Sequence, residues 1–207
     1  MRSAAILAGG HATRFGGRDK SGLLVEGRTI FDRQVEALSA VPDLQEILVV
    51  GSRRLRAGVS SPRSIVRTID DLVPGSGPLG GIHAALTEAR SDAVAVVACD
   101  MPYVTAPFVA FLFDLSRDAD IVMPRTERGY HPMCAVYTRA CLDSISRRLA
   151  ERRLKAIDLV LDGEDHLRAR IVSADEVDRF GPRERLLANV NTPADYTGLE
   201  ALQDHEQ

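Results

Sequence analysis

Along the chain, short uninterrupted apolar runs alternate with longer segments in which apolar residues recur at helical spacing. Four runs occur in the first half: Ala4–Ala8, Ile47–Val50, Ser64–Arg67 and Ala93–Ala98. Runs of this kind, without apolar–polar alternation, are typical of strands buried on both faces of a parallel sheet. Apolar stripes predict helices near residues 30–41, 82–89 and 106–117. This order of elements predicts a doubly wound α/β sheet with right-handed crossovers.

The second half is less regular, but its pattern still predicts strands and helices. The expected strands are Asp120–Met123, Met133–Tyr137 and Leu167–Val172, with a polar loop at Pro124–Pro132. The expected helices are Arg139–Glu151, Leu154–Leu161 and a last one that has Thr192 as its N-cap and Pro193 in its first turn. We expect residues 1–207 to form a single domain, because no linker, repeat or low-complexity segment interrupts them.

Charge and hydropathy exclude several classes of partner. The net charge is −3, so no overall field favours nucleic acid or a membrane, and an anionic ligand needs a local site. No apolar run approaches the roughly 18 residues that span a bilayer. The first apolar stretch ends at Gly9, too soon for a signal peptide, so the cytoplasm is the expected location. The basic residues of Arg147–Lys155 are expected to form a solvated helix face, with contact to a substrate phosphate as the alternative.

A glycine-rich segment, Leu7–Lys20, follows the first strand directly and reads LAGGHATRFGGRDK. In an open α/β sheet, ligands bind beyond the carboxyl ends of the strands. Closely spaced glycines let the backbone turn sharply and direct several N–H groups at one anion. Arg14 adds a guanidinium fork, and Lys20 adds a compact positive charge for phosphate oxygens. Because the segment fits neither a Walker loop nor a dinucleotide fingerprint, it predicts a triphosphate site of another kind.

This segment resembles the signature of molybdenum cofactor guanylyltransferases, within the wider group of nucleotidyltransferases that share a G-x-x-x-R-[MF]-G-x-x-K loop. The resemblance implies a single-domain, Rossmann-like three-layer sandwich of the nucleotide-diphospho-sugar transferase type. It also implies that Lys20 and Arg14 are catalytic. The implied GTP contacts of the loop are Leu7, Ala8, Gly9, Gly10 and Lys20. The Gly-Gly pair is similar to the guanine-using branch, whereas cytosine- and uracil-using relatives more often have Ala-Gly.

A second stretch rich in glycine and proline, Asp70–Gly81, precedes the helix predicted at residues 82–89. A helix N-terminus offers free N–H groups and a partial positive charge to a ligand. The end of the stretch resembles the family's base-contacting loop, which implies GTP contacts from Gly77, Pro78, Leu79 and Gly81. Asp70 matches the family's nucleotide-contacting Asp, with Asp71 as the alternative. The residues alone also fit an ordinary helix-entry turn.

Asp100 closely follows the apolar run Ala93–Ala98, which places it at the carboxyl edge of the predicted sheet. A carboxylate suits Mg²⁺, and one carboxylate suffices because Mg²⁺ usually keeps water and phosphate as its other ligands. The triplet Asp100–Pro102 resembles the family's metal-binding Asp-x-Pro, which implies that Asp100 is catalytic, binds the metal and contacts GTP. The alternative, a helix cap, is disfavoured because Thr105 stands where the next helix begins.

Three further parts of the chain bear on the resemblance. Asn189–Asp195 is similar to the family's N-x-N-T-P-x-D motif, which implies that Asn189 and Asn191 contact the pterin, although an Asx turn also explains these residues. Ser52 stands where the family often has an Asn near the guanine or ribose, and it is the expected substitute. His131 lies in a His-Pro-Met stretch that resembles one near the substrate cleft.

The resemblance covers residues 4–196 and implies Mg²⁺-dependent transfer of GMP from GTP to molybdenum-molybdopterin, with pyrophosphate and molybdopterin guanine dinucleotide as products. Residues 1–105 are expected to form the nucleotide-binding half and residues 106–200 the pterin-substrate half. The expected partners are GTP, molybdopterin and, transiently, molybdopterin-insertion proteins and molybdoenzymes, but neither nucleic acid nor membrane. Two alternatives stay open: a cytidylyl- or uridylyltransferase for a related cofactor or sugar phosphate, and a nonenzymatic nucleotide-sensing module.

Overall fold

A mixed β-sheet forms the centre of the computed structural model, which describes residues 1–8, 24–51, 64–73 and 75–190. The strands in chain order are β1 Arg2–Leu7, β2 Leu24–Val25, β3 Arg28–Thr29, β4 Leu44–Val50, β5 Ile65–Ile69, β6 Ala93–Ala98, β7 Ile121–Thr126, β8 Gly129–Tyr130, β9 Cys134–Thr138 and β10 Ala169–Val172. The helices are α1 Ile30–Ser39, α2 Gly77–Glu88, α3 Ala106–Leu115, α4 Leu142–Ala150, α5 Asp158–Leu161, α6 Ala174–Asp178 and α7 Arg183–Leu186.

The main sheet has the strand order β10-β7-β9-β6-β1-β4-β5, and the short β8 pairs with β7. β1 runs parallel to its neighbours β4 and β6, β4 runs parallel to β5, and β7 runs parallel to β10. Within this strand order, β9 alone runs the other way, since it pairs antiparallel with both β6 and β7. The prediction of a mostly parallel α/β sheet is therefore confirmed, and the carboxyl ends of β1, β4, β5 and β6 meet at one edge.

Helices cover both faces of the sheet, which gives the predicted three layers. On one face, α1 and α3 pack on the sheet through residues such as Leu38 and Phe108, together with Ile6 of β1. On the opposite face, α2 and α4 pack through residues such as Ile82, next to Leu7 of β1. Because neighbouring residues of β1 enter opposite clusters, its stretch Ala4–Leu7 has an apolar side chain at every position. No helix in the described part of the chain is both long and apolar enough to cross a membrane.

Some predicted helix bounds differ from the observed ones. α2 begins at Gly77 instead of residue 82, so Gly77–Gly81 is helix and not loop. Glycine lowers intrinsic helix propensity, but the burial of Leu79 in the core stabilises this first turn. The helix predicted at Leu154–Leu161 is reduced to α5, and the one predicted from Arg139 begins as a short 3₁₀ turn before α4.

Several short elements were not predicted from the sequence. The hairpin β2–β3 turns at Glu26 and Gly27, both at positive φ. Part of the predicted loop Pro124–Pro132 is strand, because β7 continues to Thr126 and pairs with β8. The short α6 begins with a capping box in which Ser173 is the N-cap residue. Elements of two to five residues are too short for a period to show in the sequence.

The basic segment Arg147–Lys155 does not form the solvated helix face that the sequence predicts. α4 ends at Ala150, and Arg152 adopts a positive φ of 59° that no helix continues through. The Arg148 side chain is completely buried and pairs with the carboxylates of Asp162 and Asp165. A buried arginine of this kind is a structural tie between α4 and the segment that follows it.

Candidate active site

The ends of the central strands are held in register beyond the sheet itself. The Ala8 amide donates to the Val50 carbonyl over 3.0 Å, and the Cys99 amide donates to the Leu7 carbonyl over 3.2 Å. The Gly51 amide donates to the Ile69 carbonyl over 3.1 Å. These bonds bring together the points at which the chain leaves β1, β4, β5 and β6. This edge is where an open α/β sheet binds its ligand.

Asp100 lies at this edge, in the turn that follows β6. The turn is closed by a bond of 3.3 Å from the Met101 amide to the Ala98 carbonyl. Asp100 is partly exposed, and its Oδ1 atom is buried. Among the described residues, no group of three or more His, Cys, Asp and Glu side chains could hold a metal ion. The donor chemistry at this point is therefore that of a single carboxylate, which fits a Mg²⁺ ion that keeps oxygen ligands from water and phosphate.

Asn189 is held next to Asp100 by the main chain. The Val190 amide donates to the Asp100 carbonyl over 2.8 Å. Ala188 and Val190 are buried, whereas Asn189 between them is exposed. The two buried neighbours anchor the segment and leave the Asn189 side chain on the outer surface. The candidate pterin contact and the candidate metal ligand are thus adjacent, although 89 positions separate them in the sequence.

The start of α2 provides two of the four predicted GTP contacts at the surface. Gly77 and Pro78 are exposed, and Gly77 has a φ of 59° that favours glycine. Leu79 and Gly81 instead face the core. A Cβ atom on Gly81 would lie only 2.9 Å from Cδ1 of Leu7, so this glycine permits the close approach of α2 to β1. Leu79 and Gly81 therefore fix the position of the helix N-terminus by packing beneath it.

The two candidate acids before α2 are placed differently. Asp70 follows β5 directly and is exposed at the same sheet edge. The Asp71 carboxylate accepts a bond of 3.1 Å from the Val73 amide and so stabilises the turn that leads to α2. This local bond gives Asp71 a structural role in the turn.

The remaining predicted site residues lie outside the described part of the chain. They are Gly9, Gly10, Arg14, Lys20, Ser52 and Asn191. The predicted helix cap at Thr192 also lies there. The described segments that lead to these residues end at the sheet edge that carries Asp100, at Ala8, Gly51 and Val190.

A cleft of about 230 Å³ lies between the β7–β8 hairpin and α7. Its lining includes His131, Arg128 and Arg183. The His131 ring nitrogen Nε2 is 2.9 Å from the hydroxyl of Thr126, and the His131 amide donates to the Pro124 carbonyl. Burial and then the charge of Arg128 lower the pKa of His131 below its usual value. His131 is therefore a neutral, positioned side chain at neutral pH.

A second, larger cleft of about 510 Å³ adjoins the Asp100 turn on the face that carries α1 and α3. Tyr103 lines it, with the guanidinium carbons of Arg185 and Arg33 at 4.6 and 5.3 Å from the ring centroid. Both arginines also pair with Glu26 of the β2–β3 hairpin. No sequence motif marks this cluster, since its members come from three distant segments.

Comparison with known proteins identifies the fold and the family. The MobA-like NTP transferase domain family matches residues 4–165 of the chain. A molybdenum cofactor guanylyltransferase from Desulfosudis oleivorans is 32% identical over 199 residues, which is 95% of this chain and 93% of that protein.

Solved structures show the same fold at lower sequence identity. Molybdopterin-guanine dinucleotide biosynthesis protein A from Archaeoglobus fulgidus superposes with a TM-score of 0.75 at 24% identity, over 99% of this chain and 100% of that chain. A 4-diphosphocytidyl-2C-methyl-D-erythritol synthase from Anaerococcus prevotii gives a TM-score of 0.74 at 14% identity, over 98% and 96% of the two chains. At these identities the likeness concerns the fold alone.

Proposed function

Because the chain belongs to the family of MobA-like NTP transferase domains, it is a nucleotidyltransferase, and we propose that it transfers GMP from GTP to molybdopterin. An oxygen of the terminal phosphate of molybdopterin, which already carries molybdenum, attacks the α-phosphorus of GTP. The bond from the α-phosphorus to the bridging oxygen breaks, pyrophosphate leaves, and molybdopterin guanine dinucleotide is formed. The attacking phosphate is ionised at neutral pH, so the reaction needs alignment and charge neutralisation more than a general base.

One observation carries this proposal: Asp100 stands at the sheet edge with the end of β1 on one side and Asn189 on the other. The bond from the Cys99 amide to the Leu7 carbonyl holds the end of β1 next to Asp100, and the bond from the Val190 amide to the Asp100 carbonyl holds Asn189 next to it. The glycine-rich segment continues from β1, and the asparagine motif continues from Val190. A carboxylate between the two predicted substrate segments is where the reacting phosphates would meet.

In this proposal, the nucleotide is bound by the half of the chain at residues 1–105. Lys20 and Arg14, with the N–H groups of Gly9 and Gly10, hold the triphosphate. Asp100 would hold Mg²⁺, which supplies charge neutralisation at the phosphates when bound. The guanosine would be contacted by Asp70 and Ser52 and by the exposed start of α2 at Gly77 and Pro78.

The acceptor is bound in this proposal by the half at residues 106–200. Asn189 and Asn191 orient the pterin, because an amide offers both a donor and an acceptor to a heterocycle edge. The cleft lined by His131 and Arg183 belongs to this half of the chain. All three cysteines are free thiols, which fits the reducing cytoplasm as the site of the reaction. Transient contacts with molybdopterin-insertion proteins and molybdoenzymes would deliver the substrate and receive the product.

The first experiment compares pyrophosphate release from GTP, CTP, UTP and ATP, each with Mg²⁺ and molybdopterin. We expect release with GTP to exceed release with the other three clearly. A preference for CTP or UTP would keep the nucleotidyltransferase mechanism and overturn the guanine assignment. This comparison therefore distinguishes a guanylyltransferase from a sister enzyme that uses CTP or UTP.

The second experiment tests Asp100 against a matched aspartate at the opposite end of the same strand. Asp100→Ala should lower turnover at least about a hundredfold, because a bound cation supplies several kcal/mol of charge stabilisation. Asp92, which precedes β6 and has a side chain that is 95% exposed, is the control, and Asp92→Ala should keep wild-type turnover. Near-normal turnover in Asp100→Ala would overturn the metal role.

A further inference from the structure

Gln34 is a polar side chain buried in the face of α1 that packs on the sheet. It is 1% exposed and lies among the apolar residues Ile30, Phe31, Val35 and Leu38 of the same helix. An amide in such a position is costly unless it forms hydrogen bonds, so its contacts indicate its purpose. The sequence gives no sign of that purpose, because the apolar stripe of α1 is complete without it.

Both hydrogens of the Gln34 amide are directed at the turn that carries Asp100. Nε2 donates to the Ala98 carbonyl over 2.6 Å and to the Met101 carbonyl over 3.0 Å. These two carbonyls lie on either side of Asp100 in the chain. Because carbonyl oxygens only accept, the NH₂ group must face the turn, which fixes the orientation of the amide. Gln34 thus joins the start and the end of the turn across Asp100.

Two further bonds hold the same turn from other directions. The neighbouring Arg33 donates from Nε to the Pro102 carbonyl over 3.1 Å. The Val190 amide donates to the carbonyl of Asp100 itself. The Gln34 side chain is itself buried, and in such surroundings a hydrogen bond is stronger and a missing partner costs more. α1 therefore holds the backbone of the turn from beneath.

We propose that Gln34 is a positioning residue that fixes Asp100 for metal binding by clamping the peptide groups on both sides of it. This inference rests on the proposed function, in which Asp100 holds Mg²⁺. A ligand must be held within about 0.5 Å of its productive position to act well. Loss of the clamp leaves the Met101 carbonyl without its Gln34 donor and leaves the Ala98 carbonyl with the Met101 amide alone, so the turn relaxes and Asp100 moves with it.

The test uses Gln34→Met, which keeps the length of the side chain and removes both donors. We expect the Mg²⁺ concentration for half-maximal turnover to rise about tenfold, since one buried and one part-buried hydrogen bond are lost, while turnover at saturating Mg²⁺ changes much less. Hydrogen exchange of the amides at residues 99–101 should become faster. Val35→Ala is the control: it removes buried methyl groups from the same helix and should alter neither quantity. Gln34→Asn, whose side chain is one methylene shorter, should give an intermediate effect. It replaces Gln34→Met in the test if the Met variant fails to fold.

The outcomes separate this inference from the proposed function. Wild-type Mg²⁺ dependence and wild-type exchange in the Gln34 variants, with Asp100→Ala inactive, would overturn the role of Gln34 alone. Full turnover of Asp100→Ala would overturn the metal role and this inference with it. A raised Mg²⁺ requirement in Gln34→Met but not in Val35→Ala supports the proposal, because a general loss of stability would affect both variants.

Discussion

Replacing Arg148 by methionine removes the charged centre of a buried network and keeps most of the side-chain volume. Arg148 donates from Nε to Asp165 over 2.7 Å, from Nη1 to Asp162 over 2.9 Å and from Nη2 to the Asp158 carbonyl over 3.1 Å. The side chains of Arg148 and Asp165 are 0% and 1% exposed. The substitution therefore leaves a buried carboxylate that has lost its main partner.

The expected cost follows from which partners remain. Breaking a buried ion pair on one side costs about 3–5 kcal/mol. Arg147 also pairs with Asp165, and Arg153 pairs with Asp162 over 2.5 Å, so neither acid becomes fully unpaired. We therefore expect a loss near the lower limit, about 3 kcal/mol in the free energy of unfolding. For a domain of this size, such a loss lowers the melting temperature by about 6–12 °C.

Thermal and urea unfolding followed by circular dichroism measure this loss in a double-mutant cycle. Arg148→Met/Asp165→Leu removes both buried charges and should recover to within about 1 kcal/mol of the wild type. The half-exposed Arg147 gives the matched control, and Arg147→Met should cost less than about 1 kcal/mol. A loss below about 1 kcal/mol in Arg148→Met, or a double variant no more stable than the single one, would refute the reasoning.

Two other predictions concern the framework of the site. Burial acts to raise the pKa of the Glu46 carboxyl, but hydrogen bonds from the Arg90 amide, Arg67 and Ser3 outweigh it and hold the pKa below its usual value of 4.5. The ionised form thus stabilises the fold above pH 4.5, and this contribution is lost as the pH falls through the lowered pKa. In an acid titration, the free energy of unfolding should therefore fall more steeply with pH for the wild type than for Glu46→Gln. Equal slopes for the two proteins would contradict this prediction. Gly81→Ala should cost about 1–3 kcal/mol through its clash with Leu7, and Leu7→Val/Gly81→Ala should lose less than the sum of the single changes in urea unfolding. Additive losses would show that the two side chains do not meet.

The sequence predicted best those features whose signal is local. The run Ala93–Ala98 is found as β6 at the same residues, because a strand buried on both faces has an apolar side chain at every position. The position of Asp100 at the sheet edge followed from that strand alone. The start of α2 was placed wrongly because helix propensity and core packing act in opposite directions at Gly77–Gly81, and packing dominates.

Contacts between distant segments could not be predicted from local sequence patterns. Arg148 was assigned to a solvated face because its acidic partners lie 14 and 17 residues later, in a segment whose path no periodicity reveals. The role of Gln34 was not predicted for the same reason, since the carbonyls that it contacts are 64 and 67 residues away. A buried polar residue in an apolar stripe is nevertheless a usable signal, because it must find a partner in the fold.

These long-range contacts bear on how the candidate site is maintained. The turn around Asp100 is held by α1 through Gln34, by the end of β1 through the Leu7 carbonyl, and by the C-terminal segment through the Val190 amide. None of these three segments contains the Asp-x-Pro triplet, Asp100–Pro102, from which the sequence predicts Asp100 as a metal ligand. Because the turn lies where all of them meet, the position of its carboxylate depends on the packing of the whole sheet edge. Loss of the Gln34 contacts, which leaves every recognised motif intact, should therefore alter metal dependence before it alters the fold.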